Sequence, residues 1–289
     1  LPINSNLVGK SAEPVEHRVD ARELMAYAAG ISDFNPCYFD TDKMTVLAHP
    51  MYSVCLEWPL VSNQAEVAGM EEFTAEERLR AVHAAHDIHF LRPIKAGDRL
   101  QTHSTMAALD PIKPGALAVS RLDTLDANTG ELVLRTYQSG VFRGVDIIGE
   151  TTSSEEIPPW PQFCDPSMDG IEKTIAVSAG AAHVYTECTN IWNPIHTDKA
   201  VALASGLPDL ILHGTATLSM AVSSIIDEFA DADPTRVTRL GGRFTGMVYM
   251  PSILTLQAIK HGNVVSFQVK SEEGGVAISN GFVCLTAGK

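Results

Sequence analysis

Three landmarks recur in the same order in the two halves of this 289-residue chain, and an ordered repeat of that kind restricts it to two copies of one structural unit. Asp33-Phe34-Asn35-Pro36-Cys37-Tyr38 lines up with Ile191-Trp192-Asn193-Pro194-Ile195-His196, each position displaced by 158, from 33 to 191 and from 38 to 196. Both stretches continue into Thr-Asp-Lys. Next, His49-Pro50 opens the apolar segment Met51 to Val61, as His213-Gly214 opens Thr215 to Phe229, where apolar residues fall at helical spacing. Finally, His89-Phe90-Leu91-Arg92-Pro93-Ile94 and Gly97-Asp98-Arg99-Leu100 parallel Arg243-Phe244-Thr245-Gly246-Met247-Val248 and Pro251-Ser252-Ile253-Leu254. Both patterns predict a strand, a tight turn and a second strand.

Strand signals dominate the remainder of each half: Leu100 to Leu109, Ala116 to Leu125 and Leu132 to Val141, then Leu254 to Ile259, Val264 to Val269 and Val276 to Leu285. Asn128-Thr129-Gly130, His261-Gly262-Asn263 and Glu273-Gly274-Gly275 supply the turns. Each half thus predicts small helices, one long buried helix and several antiparallel strands, an α+β class. A sheet curled around its helix is the hot-dog arrangement, so the expected architecture is two tandem hot-dog units, a double hot-dog. With 45% hydrophobic residues the chain can fill two cores. The expected division is a degenerate half at 1–148, a linker at 149–172 rich in Ser, Thr, Glu and Pro, and a functional half at 173–289.

Charge and motif content exclude several classes of function. A formal charge of -14 disfavours a long grip on nucleic acid, and an anionic ligand needs a local basic patch such as Arg92, Lys95 and Arg99 or Arg243 and Lys260. The five cysteines form no C-x-x-C pair and read as free thiols packed in a reducing compartment, cytosol or organelle matrix. No apolar run approaches the roughly 20 residues of a membrane helix, and Leu1 opens no secretory signal pattern. His83, His86 and His89 recur in a strand-like segment, but without a flanking ligand pattern they do not make a metal site. Phosphate-cradling and nucleophile-elbow motifs are absent, so no nucleotide cofactor and no serine esterase chemistry is expected.

The second half resembles the MaoC-like acyl-CoA dehydratases and R-specific enoyl-CoA hydratases. That family carries an aromatic residue, then Ser-Gly-Asp-x-Asn-Pro-Ile/Leu-His, and later His-Gly at the start of the long helix. The corresponding residues are Tyr185, Thr189-Asn190-Ile191-Trp192-Asn193-Pro194-Ile195-His196 and Leu212-His213-Gly214-Thr215. The resemblance implies reversible hydration of a 2-enoyl-CoA, with a carboxylate and an imidazole handling the protons and a helix N-terminus stabilising the thioester oxyanion. It implies His196 as acid/base, Asn193 as positioning residue and Gly214 as oxyanion donor. Tyr185, Trp192, His213, Thr215 and Arg243 become substrate-contact candidates, Tyr185 and Trp192 as tunnel wall or core. It implies an acyl-CoA ligand, no cofactor and pairing into a homodimer.

The chain departs from the family pattern where Ile191 stands in place of the aspartate and Asn190 in place of the preceding glycine. The first half keeps Asp33 but has Tyr38 at the imidazole position and Pro50 at the oxyanion position. Three outcomes stay open. His196 works without the usual aspartate; Asp33 or Glu187 supplies a proton-transfer partner; or the protein binds acyl-CoA without hydrating it. A hot-dog thioesterase that recruits Glu187 is a further alternative.

Overall fold

The computed structural model describes residues 2–62, 81–150, 152–167, 169–273 and 275–287. Gly274, in the turn expected at Glu273-Gly274-Gly275, lies outside the described residues, as do Thr151 and Met168 of the expected linker. The chain forms two compact units that interleave along it. One holds Leu1–His17, Leu56–Leu91 and Arg99–Trp160; the other holds Arg18–Cys55, Arg92–Asp98 and Pro161–Lys289. The stretch carrying Asp33 to Tyr38 therefore belongs to the same unit as the landmarks of the second half.

In the first unit, short strands β1 (Ile3–Asn4) and β2 (Val15–Arg18) precede β3 (Ala81–Phe90), β4 (Arg99–Ile112), β5 (Gly115–Asp126) and β6 (Leu132–Arg143). The long strands pair antiparallel in the order β4-β5-β6-β3, and β1 pairs in parallel with β7 (Ile147–Ile148). Period-two alternation sorts the side chains of β5: Leu122 and Thr124 are fully buried, while Arg121 and Asp123 form an ion pair at 2.9 Å. Part of the expected linker is a strand, because β8 (Thr152–Ser153) pairs with β4. Ile3, Leu7, Leu109, Ala116, Ala118, Phe142 and Val145 form an apolar cluster in this unit.

The second unit contains α1 (Ala21–Gly30), begun by a capping box in which Asp20 accepts from the Glu23 amide and Glu23 from the Asp20 amide. Helix α2 (Ser53–Ser62) runs on from the 3-10 turn Pro50–Tyr52 and spans the boundary between the units. The second unit also has α3 (Ala181–Thr189), α4 (Lys199–Ala204) and α5 (Gly214–Phe229). Its strands β9 (Ile171–Val177), β10 (Val237–Phe244), β11 (Ser252–His261), β12 (Val264–Lys270) and β13 (Val276–Leu285) pair antiparallel in the order β10-β13-β12-β11-β9. Helix α5 touches all five strands. Seven consecutive α5 residues, Ala216 to Val222, are buried, so the helix is enclosed on every side rather than along one stripe. A sheet wrapped around a buried helix is the hot-dog arrangement, and the chain carries it twice. In the same unit, α1 packs on α3 so closely that a Cβ at Gly30 would meet the Cβ of Cys188 at 2.8 Å.

The histidines of β3 do not stand alone. In the first unit His86 Nε2 lies 3.1 Å from Glu57 Oε2, both side chains almost wholly buried, and His83 Nε2 meets His86 Nδ1 at 3.0 Å. The Thr136 hydroxyl donates to Glu57 at 2.5 Å. A buried carboxylate is tolerated only when paired and hydrogen-bonded, which is the arrangement here. Among the described residues no cluster of three His, Cys, Asp or Glu could hold a metal ion, and no helix is long and apolar enough to cross a membrane. All five cysteines are free and half-buried.

Candidate active site

The site is built where α3 stops. Asn190 ends the helix in the left-handed conformation, φ 58°, which asparagine tolerates better than most residues. Ile191 then turns inward and is 5% exposed. Asn193 caps the 3-10 turn Pro194–His196 by accepting from the Ile195 amide at 3.4 Å, and Pro194 at the first position lacks the N–H that would go unpaired. Asp198 in turn caps α4 through the Ala200 and Val201 amides. The return path places Ile211 in a bridge with Tyr249 and brings His213 to the N-terminus of α5.

Two imidazoles meet at the centre. The rings of His196 and His213 stack with centroids 3.7 Å apart at 26°. His196 Nδ1 lies 2.8 Å from the Ile211 carbonyl oxygen. A carbonyl only accepts, so Nδ1 carries the hydrogen and Nε2 presents a lone pair. His213 is 3% exposed, its Nε2 sits 3.2 Å from Thr186 Oγ1, and its Nδ1 has no hydrogen-bond partner. Behind it the Tyr185 ring stands at 4.9 Å, its hydroxyl donating to Thr215 Oγ1 at 3.1 Å. Tyr185 also packs edge-on against Tyr27, which bonds to the Met51 carbonyl and to Ser219.

Burial sets the protonation states. It lowers His196 to about 4, the Ile211 carbonyl opposing part of the shift. It lowers His213 to about 2, reinforced by the neighbouring His196 and opposed in part by the Ile191 backbone. Both rings are neutral near pH 7, and His196 is a base with a fixed tautomer.

Residues 169–281 match the MaoC like domain, and residues 6–136 match the FAS1-like, dehydratase domain region. The second half of the chain is a MaoC like domain. Its sequence is 28% identical over 222 residues to the peroxisomal multifunctional enzyme type 2 of Mus musculus, covering 76% of this chain but only 29% of that enzyme. It is 23% identical over 284 residues to the probable enoyl-CoA hydratase 2 of Dictyostelium discoideum, covering 95% of this chain and 94% of that protein. A MaoC-like dehydratase from Phytophthora capsici superposes with a TM-score of 0.85 at 20% identity, covering 98% of this chain and 97% of that one.

In this MaoC-like site the structure brings together Tyr185, Asn193, His196, His213, Gly214 and Thr215. Glu187 lies on the exposed face of α3. Asp33 accepts from the Asn35 amide at 3.0 Å, an Asx turn, and its charge acts on Tyr38, His49 and Cys37. Among the described residues neither carboxylate is bonded to His196. Trp192 is 61% exposed and fills no core, and Arg243 is exposed on β10. Gly214 has a packing reason for its identity, because a Cβ there would come within 2.8 Å of the Phe244 ring. As the α5 N-cap, His213 makes no side-chain cap bond, so the first amides of α5 are left for other acceptors. Two partners escape sequence reasoning: the Ile211 carbonyl and the Thr186 hydroxyl. Both contacts span 15 residues or more, and neither residue type marks itself.

Proposed function

We propose that this protein catalyses the reversible addition of water to 2-enoyl thioesters of coenzyme A, giving 3-hydroxyacyl-CoA. The observation that carries the reading is His196, held by the Ile211 carbonyl as a neutral base with Nε2 available, on the loop that leads to the uncapped N-terminus of α5. In the forward direction Nε2 takes a proton from water as the oxygen bonds to C3 of the enoyl group. The C2–C3 π electrons move onto the thioester oxygen, which accepts from the Gly214 N–H and the adjacent amides at the positive end of the helix. The imidazolium then returns its proton to C2, and the base is regenerated without a cofactor. Asn193 spends its side-chain oxygen on the turn, and its amide nitrogen orients the water. Tyr185 and Thr215 line the acyl side, and exposed Trp192 and Arg243 meet the CoA moiety. A reducing compartment, cytosol or organelle matrix, suits the free cysteines.

One observation favours a second reading. Ile191, buried and apolar, stands where the family pattern has a carboxylate, and a protein that binds acyl-CoA without turnover has no use for that group. Ultraviolet loss of the conjugated enoyl chromophore of crotonyl-CoA, followed beside His196→Ala, separates the two. Loss in the native protein that vanishes in the variant supports the hydratase. Tight binding of the thioester with no chromophore loss overturns it, and release of free thiol indicates a thioesterase.

A further inference from the structure

We infer that His213 is a positioning residue that fixes the orientation and charge state of His196 in place of the carboxylate Ile191 has excluded, so that the site runs on a paired imidazole. This rests on the hydratase reading of the same site.

His213 is 3% exposed, and with the Ile191 backbone beside the ring its Nδ1 makes no well-formed hydrogen bond. The sibling residue His49 spends both ring nitrogens locally: its Nδ1 accepts from the Met51 amide at 3.1 Å and its Nε2 meets Ser223 Oγ at 3.2 Å. His213 could cap α5 in the same way, yet its ring is turned onto His196 at 3.7 Å and pinned there by Thr186. The ring thus serves His196 rather than the helix.

The electrostatic consequence differs in sign from that of a carboxylate. A carboxylate beside His196 would stabilise the imidazolium, whereas a second imidazole at stacking distance disfavours protonation of either ring while the other is charged. No charged group facing the pair among the described residues offsets this. On α3, His183 is directed to the Thr197 carbonyl at 3.0 Å, and burial keeps Tyr185 protonated. On the following turn Asp198 is engaged as a cap, and Lys199 and Asp209 pair with each other at 3.0 Å in solvent. From the β10–β11 side, Tyr249 directs its hydroxyl to Met247 Sδ.

The test is the titration of the His196 ring followed by NMR in the native protein, His213→Gln, Thr186→Val and Ile191→Asp, with His196→Ala to assign the signal. Circular dichroism checks that each variant is folded. The expected order of midpoints is native lowest, then Thr186→Val, then His213→Gln higher by about one pH unit, with Ile191→Asp highest. The acid limb of crotonyl-CoA turnover follows the same order. An unchanged His196 midpoint in folded His213→Gln and Thr186→Val overturns the inference, whatever the turnover. The predicted order of midpoints with no turnover in the native protein supports the imidazole pair and overturns the hydratase reading.

Discussion

The loops 33–52 and 191–215 share one pattern and differ in what their polar atoms are left to do. In the first, His49 spends both nitrogens on the Met51 amide and on Ser223, Tyr38 stands where the second loop has His196, and Pro50 supplies no N–H. In the second, His196 has one nitrogen fixed and one available, and α5 begins without a side-chain cap. A site differs from a turn of the same shape by the donors and acceptors its fold leaves unspent. The carboxylate sits in the spent loop, as Asp33, and the imidazole with an available nitrogen in the other.

The sharpest way to break this contrast is at the two ring positions. His196→Ala should lower turnover of crotonyl-CoA by about 100-fold or more, the usual contribution of a positioned general base; a loss under about threefold would remove the distinction between the loops. Acidification comes next and acts on both loops. His49 and His196 are lowered by burial to about 4 and His213 to about 2. The unfolded chain, with histidines near about 6.5, therefore takes up protons before the folded one does. Stability contributed by these neutral rings is complete above about pH 6.5 and is lost as pH falls toward about 4 for His49 and His196 and toward about 2 for His213, by up to about 1.4 kcal/mol per pH unit for each ring. Urea midpoints should fall accordingly between neutral pH and about pH 5, and equal midpoints would contradict it.

A third substitution sharpens the contrast from the other side. His49→Ala removes a helix cap and a bond to Ser223 and should cost about 1–2 kcal/mol in chemical unfolding while the native-state turnover rate per folded molecule changes little. The smallest effect is expected at Tyr38, whose buried hydroxyl has no hydrogen-bond partner. Tyr38→Phe should leave turnover within about twofold and stability unchanged or up to about 1 kcal/mol higher.

Much of the frame was legible in the sequence because it rests on local signals. The 158-residue displacement pairs Ser32 with Asn190, and both take the left-handed conformation, φ 60° and 58°. Asn35 and Asn193 both cap 3-10 turns, as an Asn-Pro pair invites. The long helix after His213-Gly214 follows from apolar spacing alone. Contacts between distant positions were not legible. Nothing in the neighbourhood of Thr186 or Ile211 announces that each holds one ring of the imidazole pair. Glu57 sits in an apolar helix, and its pairing with His86 depends on how α2 lies on β3, which periodicity does not record.

The most direct test of a working site in the loop 191–215 is the initial rate of crotonyl-CoA hydration by the native protein beside Ile191→Asp. If the proton chemistry belongs to His196, the native protein turns over substrate and the added carboxylate only changes the rate and moves the acid limb upward. A native protein that binds the thioester but leaves it unchanged, with hydration appearing only in Ile191→Asp, would contradict that role and make this loop a binding site whose chemistry was lost with its carboxylate.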